Sequence, residues 1–250
     1  MIPKIIHYCW FGGNALPDYA MNCISSWKKY CPDYEIKEWN EQNFDINICA
    51  YVKEAYTCRK WAFVSDYARF WILYNYGGIY FDTDVELIKP INEIIQKGSF
   101  MGYEAYCNIE FLNPRKEHLI NPGLGIGAEK NSVLYREILD YYNCQNFVKD
   151  DGSINIITVV ERISRLFADK GIKLDGKMCN IEGITIYPED FFCPINYANG
   201  KMCITDNTVS IHHYEMSWQS SISKIKMTVK RKIPPKILSF ILQVKSMVRK

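Results

Sequence analysis

The sequence predicts an α/β protein with a Rossmann-like, mostly parallel central sheet flanked by helices. Residues 3–9 and 34–39 are strand-like segments joined by one helical segment, which implies a parallel pair with a right-handed crossover. A second helical segment, 59–76, is apolar on nearly all sides, as a helix buried in a core would be. Helical and strand-like segments continue to alternate after it, which favours the same class.

Local patterns place the first elements. The first strand ends at Trp10, next to a Gly12-Gly13 turn. Pro17 begins the first helix, in which apolar residues repeat at the spacing i, i+3, i+4 and i+7, and Pro32 stops it. The pair Gly77-Gly78 ends the second helix, because glycine adopts the left-handed conformation that closes many helices.

Later segments complete the predicted sheet and its helical layers. Strands are expected at residues 79–82, 99–104, 123–128, 185–188 and 208–214, and helices at 132–143 and 155–168. In sheets of this class, ligands bind at the carboxyl ends of the strands. Trp10, after the first strand, and Asp84, after strand 79–82, therefore share the edge where a site is expected.

Length and composition indicate one soluble domain with an appendage. The chain has 250 residues, 48% hydrophobic and 23% charged, which argues against a disordered or fibrous protein. We predict a catalytic domain at residues 1–223 and a basic amphipathic tail at 224–250. Nine of the 30 basic residues follow Glu215 and no acidic residue does, which leaves 21 basic against 28 acidic residues before it. Such an acidic body disfavours nucleic-acid binding.

Cysteine usage and the termini predict a cytoplasmic setting. The ten cysteines are scattered without a CxxC pair, which favours a reducing compartment. Residues 1–13 lack the apolar core of a signal peptide, and the apolar run 237–244 is far shorter than the roughly 20 residues of a membrane span. The basic tail predicts peripheral contact with anionic lipid on the inner face of the plasma membrane, or docking on the protein itself or a partner subunit.

Two carboxylates, Asp82 and Asp84, follow the strand that Gly77-Gly78 introduces. If they continue the strand, the alternation of its side chains aims both the same way. Mg²⁺ and Mn²⁺ favour one or two protein carboxylates together with phosphate oxygens of a substrate. A metal half-site is therefore one interpretation, and a pair of solvated turn aspartates is the other.

The apolar second helix carries a charged pair, Asp66 and Arg69. Their spacing of three residues places them on one face of the helix. Buried charges need partners. The two residues form either an internal ion pair, or a site in which Arg69 faces a phosphate and Asp66 a sugar hydroxyl.

Three blocks of the sequence resemble a known family. They read IPKIIHYCWFGG, AFVSDYARFWILYNYGGIYFDTDVELIKPI and IHHYEMSW, and they bracket most of residues 1–218. The combination is similar to the DXD-containing glycosyltransferase family 32, which includes yeast initiating mannosyltransferases, bacterial capsular polysaccharide glycosyltransferases and, more distantly, the glucosylating domains of clostridial toxins. The resemblance implies a GT-A fold, a nucleotide-sugar donor, Mn²⁺ or Mg²⁺, and retention of the anomeric configuration.

The resemblance also implies roles for individual residues. Trp10 would stack on the nucleotide base, and Trp218 would cover the diphosphate. The implied nucleotide-sugar site comprises Cys9, Trp10, Asp66, Arg69, Tyr80, Asp82, Ser217 and Trp218. The implied catalytic residues are Asp66, Arg69, Asp82 and Asp84, and the implied metal ligands are Asp82, Asp84, His212 and Ser217. Because neighbouring residues of a strand face opposite ways, only one of His212 and His213 can point into the site, and the sequence leaves that choice open.

The predicted function is metal-dependent, retaining transfer of a sugar from a UDP or GDP sugar to a hydroxyl of a glycan or lipid-linked acceptor, in bacterial capsular or surface polysaccharide synthesis. Two alternatives stay open: a metal-dependent phosphoesterase, and a non-catalytic nucleotide-sugar-binding module. His7 is interpreted as structural or as lining the nucleotide pocket. Candidates for the acceptor side are Tyr103, Glu104, Asn121 and Asn155.

Overall fold

The computed structural model describes residues 1–106, 117–196 and 199–215. A central sheet contains seven strands, namely β1 (Ile5–Cys9), β2 (Glu35–Trp39), β3 (Gly78–Tyr80), β5 (Phe100–Gly102), β6 (Ile126–Ala128), β7 (Cys179–Ile181) and β8 (Ile184–Tyr187). A second sheet pairs β4 (Val85–Leu87) with β9 (Ser210–His212). The helices are α1 (Asp18–Tyr30), α2 (Ala50–Thr57), α3 (Trp61–Tyr76), α4 (Asn92–Gln96), α5 (Val133–Asn143), α6 (Val159–Asp169) and α7 (Glu189–Phe192).

The central sheet has the strand order β2-β1-β3-β6-β5-β8-β7. Its pairings give β2, β1, β3, β5 and β8 one common direction, and β6 and β7 the opposite one. The predicted mostly parallel sheet is therefore confirmed. The parallel pairing of β1 with β2 across α1 is confirmed as well.

The sheet separates two hydrophobic cores, one on each face. Alternate residues of each strand enter different cores, as the pleat requires, so that Ile79 points to one side and Tyr80 to the other. Helices α2, α3, α5 and α6 cover the face of Tyr80, and α1, α4, α7 and the two-stranded sheet cover the face of Ile79. This layering explains why α3 is apolar nearly all round.

The predicted elements are present, with differences that have local causes. Helix α6 begins at Val159 rather than at 155, because Asn155 is held by Phe147 and the side chain of Thr158 accepts a hydrogen bond from the Glu161 N–H as the helix cap. The strand predicted at 208–214 forms β9, which lies in the small sheet instead of the central one. The short helices α2, α4 and α7 and the strands β4 and β7 have no counterpart among the predicted elements.

The acidic segment is a turn, so the expectation that it continues a strand is wrong. Strand β3 ends at Tyr80, and the Val85 N–H donates to the Asp82 carbonyl across 3.1 Å to close a turn. The chain must turn here because Val85 opens β4, which belongs to the other sheet. Asp82 and Asp84 therefore approach each other through turn geometry and not through strand alternation.

Two glycines and a buried histidine join α3 to the sheet. Gly77 and Gly78 have φ angles of 65° and 101°, and a Cβ on Gly78 would lie 2.7 Å from the carbonyl oxygen of Ile5. His7 Nδ1 accepts from Trp39 Nε1 across 3.1 Å, so its Nε2 carries the proton and donates to the Gly77 carbonyl across 2.9 Å. His7 is therefore structural, which decides between its two interpretations.

The pH dependence of stability tests this placement of His7. Burial lowers the pKa of His7 from 6.5 to about 4. The unfolded chain therefore binds more protons between these pH values, and the free energy of unfolding falls as the pH drops through that window. Between pH 7 and pH 4.5 we expect the wild type to lose about 2–3 kcal/mol more than His7→Gln, measured by urea unfolding. Equal losses in the two proteins would contradict the assignment.

Candidate active site

The turn that carries Asp82 and Asp84 is anchored on both sides. Before it, the Phe81 N–H donates to the His7 carbonyl across 3.1 Å and continues the contact of β3 with β1. After it, the indole N–H of the fully buried Trp27 donates to the Val85 carbonyl across 2.7 Å. Helix α1 and strand β1 thus fix the position of the turn at the carboxyl edge of the sheet.

Asp82, Asp84 and His212 converge at this turn. One ligand atom from each lies within 4.8 Å of the other two, and His212 Nε2 is 3.3 Å from Asp84 Oδ1. Two carboxylates and an imidazole form a donor set that suits Mn²⁺, and the carboxylates alone suit Mg²⁺. The residues therefore fit a divalent cation, which would sit between the turn and the end of β9.

The geometry separates the two adjacent histidines. His212 is buried and faces Asp84, whereas His213 Nε2 lies 2.9 Å from Glu86 Oε2 and its side chain is one-third exposed. The His213 backbone N–H donates to the Asp84 carbonyl across 2.9 Å, which holds β9 against the turn. Of the two candidates, His212 is the one placed to bind a metal.

Burial and neighbouring charges shift the pKa values of Asp82, Asp84 and His212. Burial favours a neutral Asp84, but His212 and the backbone N–H of Glu215 outweigh it and lower the pKa of this carboxyl. Burial raises the pKa of Asp82, although Arg69 opposes the shift. Burial lowers the pKa of His212, but Asp84 beside it turns the net shift upward. A metal at this site binds the neutral form of His212, so metal binding depends on pH.

Arg69 joins the helix α3 to the acidic turn. Its Nη2 lies 3.0 Å from Asp66 Oδ1 and 3.3 Å from Asp82 Oδ1, and its Nε donates to the Ser65 carbonyl across 3.1 Å. The guanidinium is 3% exposed and its Cζ lies 4.9 Å from the centre of the Tyr80 ring. The ion pair that the helical spacing predicts is therefore present, and it extends to Asp82. Contact of these residues with a phosphate or a sugar stays a prediction.

Tyr80 and Cys9 lie beneath this charged group. The Tyr80 hydroxyl donates to Asp82 Oδ1 across 3.1 Å. The side chains of Tyr80 and Cys9 are both buried in the core on the α3 side of the sheet. Burial raises the pKa of the Cys9 thiol to about 12, so the thiol is neutral. Tyr80 thus supports the acidic turn directly, and Cys9 packs below it.

Trp10 lies at the same edge, beyond the end of β1. Its backbone N–H donates to the Trp39 carbonyl across 2.8 Å, and its indole N–H donates to the Asn14 carbonyl across 2.7 Å. The side chain is half-buried. These bonds hold the ring in one orientation at the carboxyl edge, where stacking on a base is predicted.

The loop before β6 contains Asn121, which was a predicted candidate, and Gly123, which sequence reasoning missed. The Gly123 carbonyl accepts from the Asp82 N–H across 3.3 Å, and a Cβ on Gly123 would lie 2.2 Å from Asp82 Oδ2. Asn121 Oδ1 accepts from the Gly123 N–H across 2.7 Å and shapes the loop. The glycines of the segment NPGLG were the available signal, because closely spaced glycines mark a close backbone approach.

The other predicted residues fall into three groups. Tyr103 is buried with its hydroxyl 3.6 Å from Cys179 Sγ, and Asn155 shapes a local loop, so neither is brought to the site. Glu104 Oε1 accepts from the Tyr214 hydroxyl across 3.0 Å, and the Tyr214 ring lies 4.2 Å from that of His212, so Glu104 lies near the site. Ser217, Trp218 and the tail at 224–250 lie outside the described residues, as does the proposed boundary at 223. Within the described ranges, no helix is long and apolar enough to cross a bilayer.

Comparisons with known proteins find similarity to glycosyltransferases. Residues 17–101 match the family described as "Glycosyltransferase sugar-binding region containing DXD motif". Inositol phosphoceramide mannosyltransferase 1 of Schizosaccharomyces pombe is 30% identical over 111 residues, covering 40% of this chain and 33% of the relative. The uncharacterized glycosyltransferase L373 of Acanthamoeba polyphaga mimivirus is 26% identical over 247 residues, covering 93% of this chain and 90% of the relative.

One solved structure is titled as a glycosyltransferase involved in the glycosylation of the major capsid of PBCV-1. It superposes on this chain with a TM-score of 0.49 at 12% identity, and the superposition covers 90% of this chain and all of that one. The chain spans about a third of the length of the S. pombe mannosyltransferase.

The fold and the site agree with each other. A mostly parallel sheet flanked by helices carries an acidic DXD turn at its carboxyl edge, which is the arrangement that the resemblance of the sequence blocks implies. Residues 17–101 are thus similar to the sugar-binding region of DXD-containing glycosyltransferases, in agreement with the resemblance of the sequence blocks.

Two neighbouring histidines provide a matched test of the metal site. His212→Gln removes an imidazole that faces Asp84, and His213→Gln removes one that faces Glu86. We expect His212→Gln to weaken Mn²⁺ binding at least about tenfold, measured by isothermal titration calorimetry, and His213→Gln to leave it within about twofold. Equal effects of the two substitutions would contradict the assignment.

Proposed function

We propose that the protein is a metal-dependent, retaining glycosyltransferase that moves a sugar from a nucleotide sugar to a hydroxyl group of a glycan or lipid-linked acceptor. The observation that carries the proposal is the cluster of Asp82, Asp84 and His212, which Arg69 connects to Asp66 at the carboxyl edge of the sheet. The family match covers the turn and α3 within residues 17–101, which supports the same conclusion.

The difficult step of glycosyl transfer is the departure of the nucleoside diphosphate, which develops negative charge. A Mn²⁺ or Mg²⁺ ion bound at this cluster would supply Lewis-acid stabilisation of that charge. Asp82, Asp84 and His212 would hold the ion, and Arg69 lies close enough to Asp82 to add a fixed positive charge beside it. The positioned charges of the chain thus favour the charge-separated transition state.

The neighbouring residues have proposed roles in holding the donor. Trp10 stacks on the nucleotide base, and Asp66 accepts a hydrogen bond from a hydroxyl of the donor sugar. Tyr80 keeps Asp82 in place through its hydroxyl. Ser217 and Trp218 would complete the metal and diphosphate contacts, on the strength of the sequence resemblance.

The proposal names a class of donor and a general biological setting. Two relatives are named inositol phosphoceramide mannosyltransferases, which puts GDP-mannose beside the UDP sugars among the donors to be tested. A place in bacterial capsular or surface polysaccharide synthesis rests on the sequence resemblance. Contact of residues 224–250 with anionic lipid at the inner face of the plasma membrane stays a prediction of the sequence.

The surroundings of the other histidines disfavour a two-metal phosphoesterase. His7 is hydrogen-bonded to Trp39 and Gly77, His213 contacts Glu86, and His118 packs against Tyr106 and Glu189. Within the described part of the chain, the group at Asp84 is the single cluster of three metal-ligating side chains. A phosphoesterase of that class needs a second metal site or a nucleophile.

The proposed function predicts that the purified protein releases nucleoside diphosphate from one of UDP-glucose, UDP-galactose and GDP-mannose in the presence of Mn²⁺. Asp84→Ala should reduce that release by at least about a hundredfold, because the diphosphate then leaves without its Lewis acid. EDTA should abolish the release by the wild type, and Mn²⁺ should restore it. Full activity of Asp84→Ala in EDTA would contradict the proposal.

Stacking by Trp10 predicts a particular kinetic signature. Base stacking contributes equally to the bound ground state and the transition state, so Trp10→Ala should raise the donor KM about tenfold and change kcat little. Trp10→Phe should retain most of the affinity because it keeps an aromatic face. Steady-state kinetics with the active donor measures both effects. A fall in kcat at unchanged KM would contradict the stacking role.

A further inference from the structure

The carboxylate of Asp66 is held by two helices. On its own helix, α3, it pairs with Arg69 Nη2 across 3.0 Å. From α6, the backbone N–H of Val159 donates a hydrogen bond to it. Val159 is the first residue of α6, so its N–H has no acceptor within the helix, and the positive end of the helix dipole faces the carboxylate. Asp66 therefore connects α3 to the start of α6.

A second buried guanidinium, that of Arg162, lies on this side of Asp66. Arg162 follows Val159 by three residues, which places the two on one face of α6. The residue is 3% exposed. Its Nε donates to the Ile157 carbonyl and its Nη1 to the Tyr141 hydroxyl, each across 3.2 Å. Neither acceptor is a carboxylate, and Nη2 has no acceptor among the residues that the structure describes. The charge of Arg162 therefore needs a carboxylate that acts on it at longer range.

Three tyrosine rings surround the Arg162 guanidinium. Its Cζ lies 5.4 Å from the ring centres of Tyr51 and Tyr142 and 5.8 Å from that of Tyr141. Aromatic faces attract a cation but carry no net charge to neutralise it. Burial raises the pKa of the Tyr51 and Tyr142 hydroxyls, Asp66 adds to the rise, and the Arg162 charge opposes it. The carboxylate and the guanidinium thus act on the same buried pair of rings.

Asp66 lies between two guanidinium groups, and Arg69 lies between two carboxylates. Arg69 Nη2 is 3.0 Å from Asp66 Oδ1 and 3.3 Å from Asp82 Oδ1, so one cation serves both. Burial raises the pKa of Asp66 to about 7. Arg69 and Arg162 oppose this rise, and Asp82 adds to it. The buried charges therefore alternate from the acidic turn to α6, in the order Asp82, Arg69, Asp66 and Arg162.

We propose that Arg162 is a positioning residue of the active site, which compensates the Asp66 carboxylate from the α6 side and thereby leaves Arg69 to hold Asp82. The inference rests on the proposed function, in which Asp66 accepts a hydrogen bond from the donor sugar. Without the Arg162 charge, Asp66 takes up a proton at neutral pH and no longer pairs with Arg69 as an anion. The charged and titrating groups that face Asp66 are Arg69 on α3, Asp82 on the turn, Arg162 on α6, Tyr51 on α2 and Tyr142 on α5.

A double-mutant cycle tests this coupling without any measurement of activity. Arg162→Gln removes the charge, and it is made in the wild type and in Asp66→Asn. The control is Arg165→Gln, which removes an exposed charge that pairs with Glu161 on the same helix. Urea unfolding at pH 8 without metal gives the free energy of unfolding of each protein.

We expect Arg162→Gln to lower the free energy of unfolding of the wild type, and to lower that of Asp66→Asn by less than about half as much, because coupled residues are not additive. Arg165→Gln should have the same small effect in both backgrounds. Equal losses from Arg162→Gln in the two backgrounds, or its failure to fold in both, would overturn the inference.

The kinetic test measures diphosphate release between pH 6 and pH 9 with the active nucleotide sugar and saturating Mn²⁺. We expect the acid limb of kcat/KM to move upward by about one pH unit in Arg162→Gln, because Asp66 then keeps its proton to higher pH. Arg162→Lys, which retains a charge, should move it less, and Arg165→Gln should leave it in place. A loss of activity that is the same at every pH would overturn the inference. Absence of release by the wild type from every donor would instead overturn the proposed function, and the unfolding cycle would then decide whether Arg162 compensates Asp66.

Discussion

The buried guanidinium of Arg69 is the constraint on which the site depends. It sits between Asp66 on its own helix and Asp82 on the acidic turn, and it is almost fully removed from solvent. Removing one partner from such a group leaves an uncompensated buried charge, which typically costs about 3–5 kcal/mol. Helix α3, strand β3 and the turn are therefore coupled electrostatically as well as by packing. A change at any one of these elements alters the position of the carboxylates.

The acidic groups of the site have different cationic neighbours. Arg69 contacts Asp66 and Asp82, and His212 lies beside Asp84. A divalent cation at Asp82, Asp84 and His212 would add positive charge between the two carboxylates of the turn. Gly123 allows the β6 loop to approach Asp82, so the turn is confined by backbone on one side and by Arg69 on the other.

Much of this arrangement could be predicted from local patterns. The spacing of Asp66 and Arg69, the pair Gly77-Gly78 and the helical periodicity of α1 each depend on a few neighbouring residues, and each is found as expected. Contacts between distant segments could not be read in this way. The approach of Gly123 to Asp82, the pairing of β4 with β9, and the choice of His212 over His213 all depend on how the chain turns after β3. The alternation of side chains along a strand does not show where the chain turns after β3.

In the proposed reaction, a divalent ion held by Asp84 and its neighbours draws a diphosphate from an activated sugar. The decisive experiment is a crystal structure of the protein with Mn²⁺ and a nucleoside diphosphate. We expect the ion in contact with Asp84 and His212, and the diphosphate on the same ion. An acidic turn that faces bulk solvent, with the ion and the nucleotide bound elsewhere, would refute the proposed reaction.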